Sequence, residues 1–225
     1  MVCQLKNLYL QLMATKRKRG HPSITTKTNQ EELLKAALKA FALSGYEGTN
    51  IKQLGEEAGI APSLFYYHFK DKIGLWQKSI QLVAKELNNK LTLEDLSDPL
   101  LDNSEVIKKW ISSFIYFSAK NPEFHQVISY EMSHPSPRAD WLIDNILKPL
   151  HQNLLNLIST MEMTGYMKKI PIASFVSILI GSANVFFTQA YQTKKLYQLN
   201  VFEKKIIQQH TETVISILFD GIIKK

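Results

Sequence analysis

From Glu31 onward the apolar residues recur at helical spacing, and nowhere do they alternate as a half-buried strand requires. Leu34, Ala37, Leu38 and Phe41 fall at i, i+3, i+4 and i+7, which puts one apolar stripe along a helix. Trp76, Ile80, Val83 and Leu87 draw a second stripe, and Trp110, Phe114 and Phe117 a third. The chain is therefore expected to be all-α, with about nine helices. Punctuation sets their limits. Glu31 and Glu32 suit the first turn of a helix over 31–44, and Gly45 and Gly48 end it. Thr49 and Asn50 are good caps for a short second helix, and Pro62 suits the first turn of a third running to about Phe69. Further helices are predicted over 72–89, 104–120, 122–132, 138–164 with a bend at Pro149, 171–192 and 200–223.

Hydrophobic residues make up 45% of the 225, enough to bury a core. The lone cysteine, Cys3, allows no intrachain disulfide, and a cytoplasmic setting is expected. The net charge of +7 is unevenly spread. Residues 1–90 carry 14 Lys and Arg against 7 Asp and Glu, whereas residues 91–225 carry 13 of each. A basic N-terminal part beside a neutral remainder points to a polyanionic partner at the basic end. Residues 1–12 lack the flanks and cleavage site of a secretory signal; they are read as an upstream extension, with Met13 as the natural start.

The segment TNIKQLGEEAGIAPSLFYYHFKDK (49–72) places two short helices around a tight turn at Gly59. Such a unit presents its second helix to the major groove of DNA. On that helix Phe65 and Phe69 lie one turn apart and face inward, leaving Ser63, Tyr66 and Tyr67 outward. Hydroxyl groups there can reach phosphates or base edges, and a ring can touch a thymine methyl.

GIAPSLFYYHFKDK resembles the signature of the TetR (tetracycline-repressor-like) family, at Gly59, Ile60, Ala61, Phe65, Tyr66, His68, Phe69 and Lys72. Phe41, Gly45, Tyr46, Thr49, Ile51 and Ala58 extend the likeness over roughly residues 28–75. Two positions depart from it: Ala61 stands where relatives often carry a capping Ser, and Phe65 where Leu is usual. The resemblance implies an arm over 1–27, a helix-turn-helix DNA-binding domain over 28–75, and a ligand-sensing and dimerising domain over 76–225. It implies phosphate contacts from Thr49 and Lys72, backbone contacts from Tyr66 and His68, and base-edge contacts from Pro62, Ser63, Leu64 and Tyr67, with Lys52 as a further phosphate contact. The arm residues Lys16, Arg17, Lys18 and Arg19 attract phosphates and suit a narrow minor groove.

The same resemblance implies a cavity for a small-molecule effector among the later helices, with Trp110, Phe114, Phe117, Trp141 and Phe175 as candidate lining. It also implies a homodimer formed by the last two helices of each subunit. Residues 170–193 run 24 positions without a charge, long enough to cross a bilayer, but Ser174, Ser177, Ser182, Asn184, Thr188 and Gln189 interrupt them. A helix buried in a dimer interface is the expectation, with no membrane partner. No phosphate loop, HExxH, CxxC or nucleophile elbow occurs, and the six histidines show no ligand spacing, so neither an enzyme nor a metal or other cofactor is expected. The competing reading is a helical small-molecule-binding protein or enzyme whose basic N-terminus meets DNA only non-specifically. The resemblance implies a ligand-released repressor acting as a dimer on palindromic double-stranded DNA.

Overall fold

The computed structural model describes residues 27–57, 62–91, 103–163 and 168–222, and among them every regular element is helical. The predicted arm, the turn at 58–61 and the loop at 92–102 lie outside the described residues. Helix α1 (Lys27–Gly48) buries Leu33, Leu34, Ala37, Leu38 and Phe41, the predicted stripe with one addition. Gly45 breaks its geometry with φ +69°, and a Tyr130 ring lies 3.7 Å from where a β-carbon at Gly45 would stand. Asn50 opens α2 (Ile51–Glu57), its Oδ1 accepting the Lys52 and Gln53 amides at 3.0 and 3.2 Å.

Helix α3 (Pro62–Phe69) passes through left-handed Lys70, φ 62°, into α4 (Lys72–Lys90). Helix α4 buries Leu75, Trp76, Ile80, Val83 and Leu87 on its predicted face. It packs on both α1 and α3 and continues into the helical body, where it meets α5 (Asn103–Lys120). Asn121 and Pro122 turn the chain into α6 (Pro122–Glu131), which packs back onto α1.

Ser136 caps α7 (Pro137–Leu142), accepting the Ala139 amide at 3.0 Å. Ahead of Pro149, where a bend is predicted, the helix changes to a π-helical stretch, Ile143–Leu147, and α8 (Lys148–Met163) follows directly. A proline has no amide hydrogen and crowds the carbonyl four residues earlier. The chain widens by one residue just ahead of it, and the Lys148 amide reaches Ile143, five residues back.

The predicted helix over 171–192 is two: α9 (Ile172–Thr188) and α10 (Ala190–Tyr197), bent by 70° at Gln189. No single helix among the described residues is long and apolar enough to cross a membrane. Asn200 caps only a turn, accepting the Phe202 amide, and α11 (Lys204–Ile222) begins four residues later than predicted. Helix α5 is central to the body, with α4, α6, α9 and α11 against it.

Candidate nucleic-acid interface

Helix α3 carries five consecutive aromatic or imidazole side chains, 65–69, and its packing sorts them. Phe65 and Phe69 are buried, with ring centroids 5.2 Å apart. Tyr67 is 81% exposed and Tyr66 55%, so two large amphipathic side chains stand in solvent where a protein surface ordinarily carries Lys and Glu. His68 is half-buried beside them, its ring edge-on to Tyr67 at 5.2 Å. Pro62, Ser63 and Leu64 form the first turn of the same helix, and their side chains lie outside the described residues. So do the arm cations Lys16, Arg17, Lys18 and Arg19.

The helix is clamped at its C-terminal end. Lys78 Nζ donates to the His68 carbonyl at 2.6 Å and lies 5.6 Å from the Phe69 ring centroid. A cation there meets both the free carbonyls and the negative end of the helix dipole. Asp71 then caps α4, its Oδ1 accepting the Gly74 amide at 2.8 Å. A β-carbon on Gly74 would stand 2.1 Å from the Phe69 carbonyl oxygen, so only glycine lets α3 and α4 approach this closely. Gly74 and Lys78 escaped the sequence reading. The available signal was a glycine inside an otherwise regular amphipathic helix, a position that costs about 1 kcal/mol against alanine unless something requires it.

The expected phosphate ligands fare differently. Lys52 is exposed on α2. Lys72 is anchored: its Nζ donates to the Glu47 carbonyl at 3.1 Å and lies 4.8 Å from the Tyr46 ring centroid. An ammonium has three donors, which leaves capacity for a phosphate. The expected side-chain contact of Thr49 is not supported by its geometry. Thr49 is 5% exposed, and its hydroxyl is engaged with the Gly45 and Ala40 carbonyls at 2.8 and 3.2 Å. It closes the end of α1 instead, and the helix cap falls to Asn50.

A junction behind this face joins it to the body. Arg138, at the start of α7, donates from Nε to Glu131 Oε2 at 3.0 Å and from Nη1 to Glu47 Oε1 at 3.3 Å. Its guanidinium carbon lies 4.2 Å from the Tyr46 ring centroid. Burial holds the Tyr46 phenol above its ordinary pKa, against the opposing pull of Arg138. Trp76 completes the junction, with Tyr46 edge-on at 6.2 Å and Trp141 at 5.5 Å.

Of the candidate effector-lining residues, Trp110, Phe114 and Phe117 lie buried along α5, and Phe175 is buried on α9. Trp110 stacks on Phe114 at 5.5 Å. Trp141 instead faces Trp76 in the junction. No group of three or more His, Cys, Asp or Glu among the described residues is placed to hold a metal ion.

Residues 33–77 match the family described as bacterial regulatory proteins, tetR family. The chain is 23% identical over 205 residues to the HTH-type transcriptional regulator RutR of Escherichia coli K12, covering 90% of this chain and 94% of that one. It is 26% identical over 121 residues to the HTH-type transcriptional repressor NicS of Pseudomonas putida, covering 52% of this chain and 55% of the relative. Among solved structures, a TetR family transcription regulator from Marinobacter aquaeolei VT8 superposes with a TM-score of 0.67 at 15% identity, covering 88% of this chain and 97% of that one; at that identity the likeness concerns the fold alone. The matched segment runs from α1 to the first turns of α4 and contains the exposed α3 face, so this part of the chain is similar to the tetR family of bacterial regulatory proteins.

Proposed function

We propose that the protein is a dimeric repressor that reads a palindromic operator with α3 and releases it when a small molecule binds the helical body. The observation that carries this is the outward face of α3, where Tyr66, Tyr67 and His68 project from a helix whose other side is locked by Phe65, Phe69, Lys78 and Gly74. A rigid helix with exposed hydroxyl-bearing rings suits groove reading, because base contacts tolerate little displacement. The name of NicS, a repressor, supports the direction of control.

Fluorescence anisotropy with the DNA upstream of the protein's own gene tests it, against a scrambled duplex at several salt concentrations. Specific binding should exceed scrambled binding by ~10³-fold or more. Tyr67→Ala should weaken the operator complex by about 10- to 100-fold with an unchanged melting temperature. Equal, steeply salt-dependent affinity for both duplexes would sink the regulator reading.

Helix α9 supplies the surface for a second copy. Phe175, Leu179, Ala183 and Phe187 point into the body. On another face Ile178 is 56% exposed, Val185 47% exposed, and Gly181, between them, has nothing within 4 Å of a would-be β-carbon. Ile217 on α11 is 69% exposed. Two apolar side chains about two turns apart, with a residue without a side chain between them, permit close approach of another helix. Ile178→Glu combined with Val185→Glu should convert the dimer to a folded monomer in analytical ultracentrifugation. It should also lower operator affinity by at least about 100-fold, because two half-sites no longer bind as one. A double variant that sediments as a dimer would show that the subunits meet elsewhere.

A further inference from the structure

Among the described residues, the buried polar or charged side chains from α5 onward are Ser118, His125, Glu131, Asn184 and Thr211. Ser118 Oγ bridges the Phe114 carbonyl and Asn184 Oδ1 at 2.8 and 2.9 Å. Glu131 is held by Arg138, and Thr211 donates to the Ile207 carbonyl. His125 is the exception, because its Nε2 has no hydrogen-bond partner. The imidazole sits on α6 among rings that meet it edge to face: Phe124 at 5.3 Å, Phe117 at 5.9 Å and Phe114 at 6.0 Å, with Trp110 stacked beyond Phe114.

Burial pushes the His125 pKa down to about 3, so the ring is neutral at any pH near 7 and carries one N–H and one lone pair. A ring face can meet an N–H weakly, but it cannot meet a lone pair. Trp76 Nε1 is the other unpartnered buried side-chain nitrogen among the described residues. An indole is donor only, and Trp76 packs against the Tyr46 and Trp141 rings. A phenylalanine at 125 would fill nearly the same space without an orphaned nitrogen. The imidazole therefore leaves Nε2 without a hydrogen-bond partner in the free protein, where a hydrogen-bonding group entering the aromatic cluster would meet it.

We infer that this cluster at the α5–α6 turn is where the effector binds, and that the effector is an uncharged, largely apolar molecule presenting one hydrogen-bonding group to His125 Nε2. The inference rests on the effector-controlled reading above. A neutral ligand is favoured because the groups placed against the imidazole are the Phe114, Phe117 and Phe124 rings, and the buried Glu131 carboxylate on the same helix is committed to Arg138. A buried ionic ligand would find no counter-charge there. Helix α6 also supplies the route to DNA. His125 and Glu131 lie six residues apart, about 9 Å along the axis, and Glu131 holds the Arg138 that grips Glu47 and Tyr46. A ligand that favours a shifted α6 lowers operator affinity through that grip.

Calorimetric titration of the full chain with 2-naphthol, 2-naphthoate and 2-naphthylmethylammonium tests it, alongside thermal melting and operator anisotropy. The neutral naphthol should bind wild type at least about tenfold more tightly than either charged analogue. His125→Phe should lose about tenfold in naphthol affinity while melting higher than wild type in the absence of probe. His125→Gln, which keeps a hydrogen-bonding end, should recover part of the affinity. Absence of naphthol binding, a charged analogue binding as well as the neutral one, or naphthol binding to His125→Phe at wild-type strength would each overturn the proposal. Naphthol binding through His125 without loss of operator affinity would support the site and overturn its coupling to α6. Failure of the unliganded wild type to select its operator would instead strike the regulator reading on which the proposal rests.

Discussion

Gly74→Ala should abolish operator recognition while leaving α5 to α11 folded. Its β-carbon would stand 2.1 Å from the Phe69 carbonyl oxygen and 3.3 Å from Asp71 Oδ1. The carboxylate can turn aside, but the carbonyl cannot. It belongs to the last residue of α3 and accepts the Asp71 amide at 2.7 Å. Helix α3 or the start of α4 must therefore shift by an ångström or so. A base contact depends on distances set to a few tenths of that. The expected loss in operator affinity exceeds about 100-fold, with a stability cost of about 1–3 kcal/mol, typical of overpacking. Gly48→Ala is the matched control, since its nearest neighbour, the Ser44 β-carbon at 3.4 Å, is in ordinary contact. Anisotropy and thermal melting on both variants decide the point. Wild-type operator affinity in Gly74→Ala would refute the claim that this contact positions the recognition helix.

The second large effect is expected at Arg138. Its partners are unequal: the Glu131 side chain is 4% exposed, and that of Glu47 is 83% exposed. Arg138→Ala leaves a buried carboxylate without a partner and should destabilise the protein by about 3 kcal/mol. Glu47→Ala removes only a screened surface contact and should cost less than about 1 kcal/mol. Replacing Glu131 and Arg138 together by leucine should restore most of the stability, because no orphaned charge remains. The same double variant should bind its operator yet respond less to effector, since α6 no longer grips the end of α1. Chemical denaturation checks the energies, and operator titration with and without effector checks the coupling. A double variant as unstable as Arg138→Ala would show that the loss comes from packing around the stem rather than from the charge.

What was legible in the sequence was whatever repeats within a helix. The buried faces of α1 and α4 follow the apolar spacing, and the inward Phe65 and Phe69 against the outward Tyr66 and Tyr67 follow from 3.6 residues per turn. Joints were less legible, because their causes lie far away along the chain. Thr49 reads equally well as a cap or a phosphate ligand until Ala40, nine residues back, is seen to engage its hydroxyl. Arg138 reaches across 91 positions to Glu47, and Ser118 across 66 to Asn184. The break at Gln189 has no glycine or proline to announce it. It accompanies the return of the chain that lays Phe202 against Phe187, at 6.2 Å. His125 belongs to no ligand spacing in the sequence, and only its unpartnered nitrogen sets it apart.

The facing indoles of Trp76 and Trp141 carry a consequence of another kind. The protein has three tryptophans, and two of them meet 5.5 Å apart where the helix leaving the DNA-reading unit touches the body. Trp110, the third, stacks on Phe114 within the aromatic cluster on α5. Rings this close share their excited states and quench one another, and the effect falls steeply with separation. The near-ultraviolet spectrum of the unlabelled molecule is therefore a ruler laid across this junction, with a second chromophore reporting on α5.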